Sequence, residues 1–203
     1  MPPCSDEALA LAFAARHVDE LRYTNVWGRW HYYDGMRWRD DSTRLVYDYA
    51  RAICREAAAS AATERERKDT ASAKKRAAVV SLAKEARSLA AISEQWDQSP
   101  WSLNTPDGVI DLRTLRVTPH QPAHYLTKMT SVAPRGDCKR WLQFIDEITG
   151  GDKALATFLQ RVAGYSLTGV TSEHALFFST ARAQTERVSS WALWPECSAT
   201  TTA

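Results

Sequence analysis

Residues 27–39 read WGRWHYYDGMRWR, and this stretch decides the fold of the first half of the chain. Asp34 and Gly35 lie between two aromatic runs, which is the strongest short-range sequence signal for a β-hairpin. A two-residue turn at this pair would place His31 opposite Trp38. Because side chains alternate across a strand, the hairpin would have two distinct faces. One face would carry His31, Tyr33, Met36 and Trp38, and the other would carry Trp30, Tyr32, Arg37 and Arg39.

The second of these faces is a candidate surface for single-stranded DNA. Its aromatic rings can stack on bases, at about 1–3 kcal/mol for each base, while its arginines can hold phosphates. The alternative is a half-buried hairpin whose arginines only pack over the rings. The candidate DNA-contacting residues of this face are Trp30, Tyr32, Arg37 and Arg39.

Three further basic residues in the second half of the chain form another candidate set. They are Lys128, Lys139 and Arg140. Such side chains can contact DNA or a neighbouring subunit, although exposed lysine and arginine are more often plain surface charge. The sequence leaves both interpretations open.

Helical periodicity surrounds the hairpin on both sides. Ser5 is a suitable N-cap, and the apolar spacing after it predicts an amphipathic helix over residues 6–22. A second helix is predicted over residues 42–62, and a third runs through Val79 to Ile92. The charged stretch 63–75 between them is either an exposed helical arm or a mobile connection.

The second half of the chain has a different pattern. A small hairpin is predicted at residues 109–117, after the turn chemistry of residues 104–108. Tyr125–Thr130 alternates like a strand, and helices follow over residues 137–149 and 152–166. Their inward residues would be Trp141, Phe144, Ile145 and Ile148 in the first helix, and Leu155, Phe158, Leu159 and Val162 in the second.

The predicted class is α+β and mostly helical. An N-terminal helix and aromatic hairpin are followed by a helical middle, a small hairpin segment, and helices that lead to an apolar run at residues 173–178. That run is typical of a buried strand. We predict a helical region over residues 1–100, an accessory region over 101–178, and a disordered tail over 179–203.

Composition narrows the class of protein. The 203 residues are 44% hydrophobic and 25% charged, which is ordinary for a soluble globular protein. A net charge of +2 does not by itself indicate a nucleic-acid binder. The four cysteines include no C-x-x-C pair, and scattered thiols fit a reducing cytosol. Neither a signal peptide nor an apolar run near the roughly 18 residues of a membrane span is present, so we expect a cytoplasmic protein without membrane contact.

No residue is assigned a catalytic or metal-binding role. His120 and His124 are four residues apart in a turn-rich segment, and a metal site would need further ligands. Asp107 belongs to a turn and Asp111 to the small hairpin, so they are not interpreted as a catalytic pair. We therefore expect neither a metal nor a cofactor in this chain.

Four motifs in the second half carry a resemblance to a known family. They are NTPDGVIDL at residues 104–112, YLTK at 125–128, FLQRVAGYSLTG at 158–169 and HALFF at 174–178. From about residue 101 the chain resembles the phage and plasmid primase-helicases. The similar region is the poxvirus-type primase N-terminal-like domain, which precedes a superfamily 3 helicase core. Residues 27–38 resemble the same family more loosely.

This resemblance implies partners and cofactors for the intact family. Its AAA+-like helicase core binds ATP and Mg²⁺, and acts on single-stranded or forked DNA as a homo-oligomeric ring. Phe177 and Phe178 would end the strand that leads into the Walker A loop of that core. No Walker A lysine follows here, so the cofactor-binding loop is lost after Phe178.

The tail from Ser179 suggests how the loop was lost. Suitable synonymous codons for the tail, when they are read one nucleotide early, encode the peptide YGTGANGKSV. This peptide contains a phosphate-binding loop of the G-x-x-x-x-G-K-[ST] type. In that frame Trp191-Ala192 forces a glycine and Trp194-Pro195 forces an alanine. We infer a frameshift between Phe178 and Ser179. The alternative is a natural polar tail.

Three functional hypotheses follow from the sequence. The first is an N-terminal accessory fragment of a phage or plasmid DNA primase-helicase, severed before the ATPase motor and itself inactive. The second is a stand-alone module that binds single-stranded DNA or loads a helicase. The third is a non-functional remnant.

Overall fold

The structure of the protein, a computed structural model, describes residues 4–172 and Phe177. Within these residues, six α-helices and seven β-strands form an α+β fold, and the predicted class is confirmed. The apolar run at 173–178, apart from Phe177, and the tail from Ser179 lie outside the described residues.

The described chain forms two compact units. The first consists of residues 4–96 together with 121–127. The second consists of residues 97–120 together with 128–172 and 177. Residues 121–127 therefore belong to the first unit, although they follow the first segment of the second unit in sequence.

A four-stranded sheet forms the centre of the first unit. Its strands are β1 (Leu21–Thr24), β2 (Arg29–Tyr33), β3 (Trp38–Asp40) and β4 (Ala90–Ala91). The spatial order is β3-β2-β1-β4, and the pairs are antiparallel except that β4 runs parallel to β1. The predicted helices had included the first two residues of β1 and all of β4, and both assignments were wrong. The two strands are four and two residues long, too short to display a period of two.

The predicted hairpin is present, but its register differs from the predicted one. Tyr33, not His31, lies opposite Trp38. The loop is longer than two residues because the Asp34 carboxylate accepts hydrogen bonds from the backbone N–H groups of Met36 at 3.0 Å and Arg37 at 2.8 Å. A shift of two residues leaves every strand side chain on its predicted face, because the side-chain period of a strand is two. Met36 and Arg37, however, are in the loop.

Four helices complete the first unit: α1 (Asp6–Arg16), α2 (Leu45–Ala59), α3 (Glu64–Thr70) and α4 (Ala73–Ala83). Side-chain oxygens satisfy the free N–H groups at their first turns. Ser5 accepts from Ala8 at 3.2 Å in α1, and Asp41 accepts from Leu45 at 2.7 Å in α2. The charged stretch 63–75 is helical, because it contains α3 and the start of α4.

The helices bury one face of the sheet. α1, α2 and α4 pack on one another and on the apolar side chains of β1 and β2. Fully burying a side chain such as Leu or Phe stabilises a fold by about 1.5–3 kcal/mol, so this cluster dominates the stability of the unit. Its largest members are Leu9, Phe13, Leu21, Tyr23, Trp30, Val46, Ile53, Val79, Val80 and Leu89.

The second unit begins with a three-stranded antiparallel sheet of β5 (Ser102–Thr105), β6 (Gly108–Asp111) and β7 (Val117–Thr118). The predicted small hairpin is confirmed as β6 and β7, whereas the last two residues of β5, Asn104 and Thr105, were expected to belong to a turn. Tyr125–Thr130 is not a strand, contrary to the prediction. Tyr125 has a φ of 50°, which interrupts an extended strand conformation.

Two helices follow in the second unit, α5 (Lys139–Thr149) and α6 (Lys153–Ser166), and both predicted helices are confirmed. Gly150, with a φ of 59°, ends α5, and the Asp152 carboxylate caps α6 by accepting from Ala154 at 2.8 Å. The helices contact each other, but several of the residues predicted to face inward are exposed. They are Trp141, Ile148, Leu155 and Phe158. No helix within the described residues is long and apolar enough to span a bilayer.

Candidate nucleic-acid interface

An aromatic layer covers the face of the first sheet that points away from the helices. Alternation along β1 and β2 sends Tyr23 and Trp30 toward the helices, and Thr24 and His31 toward the opposite face. Trp38 of β3 lies on that opposite face and is fully buried there. Both faces of the sheet are therefore covered, one by helices and one mainly by aromatic rings.

Trp96 lies at the centre of the aromatic layer. Its ring centroid is 4.5 Å from that of His31, 5.7 Å from that of Trp38 and 5.3 Å from that of Tyr125. The indole N–H of Trp96 donates to the Thr24 hydroxyl at 3.1 Å, which fixes the ring on β1. Edge-to-face pairs of this kind add about 0.5–1.5 kcal/mol each beyond burial.

Arg22 joins residues 121–127 to the sheet of the first unit. Its guanidinium lies over the rings of Trp38, at 5.2 Å, and Tyr125, at 5.7 Å. Its Nε donates to the Tyr125 hydroxyl at 3.0 Å, and a terminal nitrogen donates to the carbonyls of Val18 and Leu21. The indole N–H of Trp38 donates to the Pro122 carbonyl at 2.8 Å. These bonds explain why a segment distant in sequence covers this face.

His31 is the buried titratable group of the layer. Its Nδ1 lies 2.9 Å from Oδ1 of Asp40, and Oδ2 of Asp40 lies 3.0 Å from an Arg29 nitrogen. Burial lowers the pKa of His31 below its ordinary 6.5, and the Asp40 charge only partly opposes that effect. His31 Nε2 is buried without a hydrogen-bond partner among the described residues. The ring faces Trp27 and Trp96 rather than solvent.

Trp27 is the exposed end of this layer. It closes a 3₁₀ turn, Asn25–Trp27, between β1 and β2, and Gly28 completes the turn with a φ of 63°. The Trp27 ring packs edge-on to His31 at 5.7 Å and tilted to Trp96 at 6.4 Å, yet 45% of the residue is exposed. Val26 beside it is 80% exposed, and Ile92, which follows β4, is 60% exposed.

The structure separates the four candidate residues of the hairpin. Trp30 is only 8% exposed, and its ring contacts Tyr23 at 5.0 Å and Phe13 at 6.4 Å within the helical core. Tyr32 is partly buried against the same core. The guanidinium groups of Arg37 and Arg39 lie 3.9 Å and 4.0 Å from the Asp34 carboxylate, so a local acid already neutralises part of their charge. The Trp30 ring is enclosed in this arrangement, and a DNA-binding role for the other three residues stays a prediction.

The three basic candidates of the second unit are exposed. Lys139 and Arg140 begin α5, and Lys139 pairs with Asp137 at 3.0 Å. Lys128 lies in the extended segment before α5, where its carbonyl accepts a hydrogen bond from the Asn104 side chain at 3.1 Å. A role in DNA or subunit contacts stays a prediction for these residues as well.

The remaining polar candidates have structural partners. Nε2 of His120 lies 2.8 Å from the Thr105 carbonyl, and Asp107 forms an ion pair with Arg135. The Asp111 carboxylate accepts from the Arg113 backbone N–H at 2.8 Å, and this bond lowers the pKa of Asp111. Within the part of the chain that the structure describes, no group of three His, Cys, Asp or Glu side chains could hold a metal ion.

Sequence reasoning missed Trp27, Trp96 and Arg22 as members of one site. A signal for Trp27 was present, because it begins the aromatic stretch four residues before His31 and lies beside Gly28. For Trp96 and Arg22 the local sequence holds no signal, since their contacts join residues separated by about 70 to 100 positions, as in the Trp96–Thr24 and Arg22–Tyr125 hydrogen bonds.

The first unit is thus an α+β module built on a small sheet, and its exposed aromatic end is a potential contact surface. A family model described as D5 N terminal like matches residues 10–150. The chain belongs to this family, whose members are N-terminal domains associated with primases and helicases. Among curated proteins, no sequence matches the chain significantly.

Proposed function

We propose that this chain is the N-terminal accessory region of a phage or plasmid DNA primase-helicase. The family match over residues 10–150 carries the proposal. The motifs at residues 158–169 and 174–178, which resemble the approach to a helicase core, support it. In such a protein the accessory region precedes a ring-forming motor that acts on single-stranded or forked DNA in the cytoplasm.

The chain as it stands does not fit ATP and Mg²⁺. Hydrolysis requires a loop whose backbone N–H groups and lysine hold the phosphates, and carboxylates or hydroxyls that hold the metal. None of the eight glycines in the sequence is followed by lysine. We therefore propose that the chain is inactive as an ATPase, and that a frameshift after Phe178 replaced the Walker A loop.

Two proteins test this proposal: the chain itself, and a version whose reading frame is restored by one nucleotide after Phe178. We expect Mg²⁺-dependent ATP hydrolysis from the restored protein and none from the chain. Turnover by the chain would contradict the proposal. So would coding DNA in which no one-nucleotide shift opens a frame beyond the Phe178 codon.

The second candidate function is a stand-alone module for single-stranded DNA. The exposed aromatic end of the first sheet favours it, because a half-exposed tryptophan is the kind of side chain on which a base stacks. The two functions are compatible, since an accessory region can bind the strand on which its motor acts.

A further inference from the structure

We infer that one defined surface of the first unit binds single-stranded nucleic acid by stacking a base on Trp27. The surface consists of Val26, Trp27, Arg29 and Ile92, and we call it the Trp27 surface. It differs from the hairpin face predicted from sequence, whose tryptophan is buried. The inference rests on the proposed function only for the choice of DNA as the probe.

The Trp27 ring is held in position before any ligand arrives. The 3₁₀ turn and the left-handed Gly28 fix the backbone, while Trp96 and His31 pack against the ring. Trp96 is itself held by its bond to Thr24. A ring fixed in this way loses little conformational freedom when a base stacks on it, which favours binding. The residue is nevertheless 45% exposed.

Arg29 supplies a cation for the phosphate beside a stacked base. It follows Gly28 directly and lies on the same sheet face as His31, two residues further along β2. Its ion pair with Asp40 is exposed, with side chains 65% and 51% accessible. An exposed pair of this kind is worth about 0–1 kcal/mol, so the guanidinium can exchange Asp40 for a phosphate.

The size of the Trp27 surface favours a nucleic acid over a protein partner. A stable protein interface buries about 800 Å² on each partner, far more than three apolar side chains offer. The polar turn Ser93–Gln95 follows Ile92, and the Arg29–Asp40 pair lies beside His31, so charged and polar groups flank the apolar residues. A single base needs only one accessible ring face, and Val26 and Ile92 add exposed apolar surface to the first unit.

The test measures binding of a fluorescent oligothymidylate of about 16 nucleotides to the full chain, by anisotropy at low salt. We expect Trp27→Ala to weaken binding about tenfold or more, and Trp27→Phe to retain most of it. Arg29→Gln should weaken binding less and lower the slope of log affinity against log salt by about 0.7. Thermal unfolding of each variant confirms that the first unit is folded.

Trp141→Ala is the matched control, because Trp141 is 40% exposed and lies in the second unit beside Lys139 and Arg140. We expect it to leave DNA affinity unchanged. Wild-type protein that fails to bind, or binding that Trp27→Ala leaves intact, would overturn the inference. Loss of a concentration-dependent self-association in Trp27→Ala, without any DNA effect, would reassign the surface to protein contact. None of these results depends on ATP hydrolysis by the frame-restored protein, so the two proposals fail separately.

Discussion

Trp27 and Trp30 are three residues apart and have opposite environments. Trp30 points into the helical core, where Phe13 and Tyr23 contact its ring. Trp27 lies at the end of the aromatic layer, as the last residue of the turn that precedes β2, and 45% of the residue is exposed. One tryptophan therefore stabilises the fold, and the other is available for a ligand.

This contrast predicts that the same substitution destabilises the first unit to very different extents at the two positions. Trp30→Ala should lower the free energy of unfolding of the first unit by about 3–5 kcal/mol, because it leaves a cavity in a packed core. Trp27→Ala should lower it by only about 1 kcal/mol, since much of the ring is already exposed. Urea unfolding followed by far-UV circular dichroism measures both. A Trp30→Ala protein of unchanged stability would show that the Trp30 ring is not packed in the core.

His31 predicts a pH dependence of stability. Its pKa in the folded protein is below the ordinary 6.5 because of burial, so the unfolded chain binds the proton more readily. Stability should therefore fall as the pH drops below about 6.5, and this loss should level off once the folded ring is also protonated. The free energy of unfolding, measured from about pH 7.5 to about pH 5.5, should decline more steeply in wild type than in His31→Gln. Identical slopes would show that His31 is not buried in its neutral form.

At the level of elements, the helices could be predicted from the sequence, whereas the sheet could be predicted only in part. Apolar spacing located all the long helices, because each carries apolar residues that repeat with the helical period, although those of α5 and α6 are largely exposed. The register of the β2–β3 hairpin was not readable, since the side chain of Asp34 closes a longer loop than an Asp-Gly pair predicts. β4 could not be predicted, because two alanines carry no pattern and gain their strand pairing from β1.

The residues of the candidate site were even harder to predict from the sequence. Both faces of the hairpin are aromatic, so composition alone could not tell which face the helices cover. The deciding contacts come from Phe13 on one side and from Trp96 and Tyr125 on the other. Such long-range packing leaves no trace in the spacing of residues 27–39. The alternation of faces, by contrast, was correct because it depends only on strand geometry.

The first residue of β6, Gly108, allows a test at the scale of elements. Gly108 has a φ of +143°, and a Cβ there would lie 2.6 Å from the Thr118 carbonyl and 2.9 Å from Val117 Cγ1. Gly108→Ala should destabilise the second unit by at least about 1–3 kcal/mol, from backbone strain together with the clash against β7. Thermal unfolding measures the effect.

Gly136→Ala is the matched control for that experiment. Gly136 also has a positive φ, +76°, but no atom lies within 4 Å of an added Cβ. Gly136→Ala should destabilise the second unit only through the strain of a left-handed backbone, by about 1–2 kcal/mol. Equal losses in the two variants would mean that contact with β7 contributes nothing at Gly108.

At the scale of the whole molecule, the two units differ in how completely they bury their apolar side chains. The first has a helical core and an aromatic layer, and both are largely closed. The second presents apolar side chains on α5 and α6 to solvent, among them Leu142, Ile148, Leu155 and Phe158. Exposed apolar surface of this extent is typical of a contact region or of a liability to aggregation. It agrees with the proposal that these helices precede a motor domain.

This difference predicts that the α5–α6 pair drives self-association of the chain. Replacing Leu142 and Leu155 together by Gln should reduce light scattering and dye binding at high protein concentration, because the exposed apolar surface is removed. The fold should persist, since neither side chain is buried. Leu115→Gln is the control, because Leu115 is 74% exposed but lies in the loop between β6 and β7, outside the helix pair. If Leu115→Gln suppresses association as strongly as the helix variant, the effect comes from general hydrophobicity, and the α5–α6 pair has no special role.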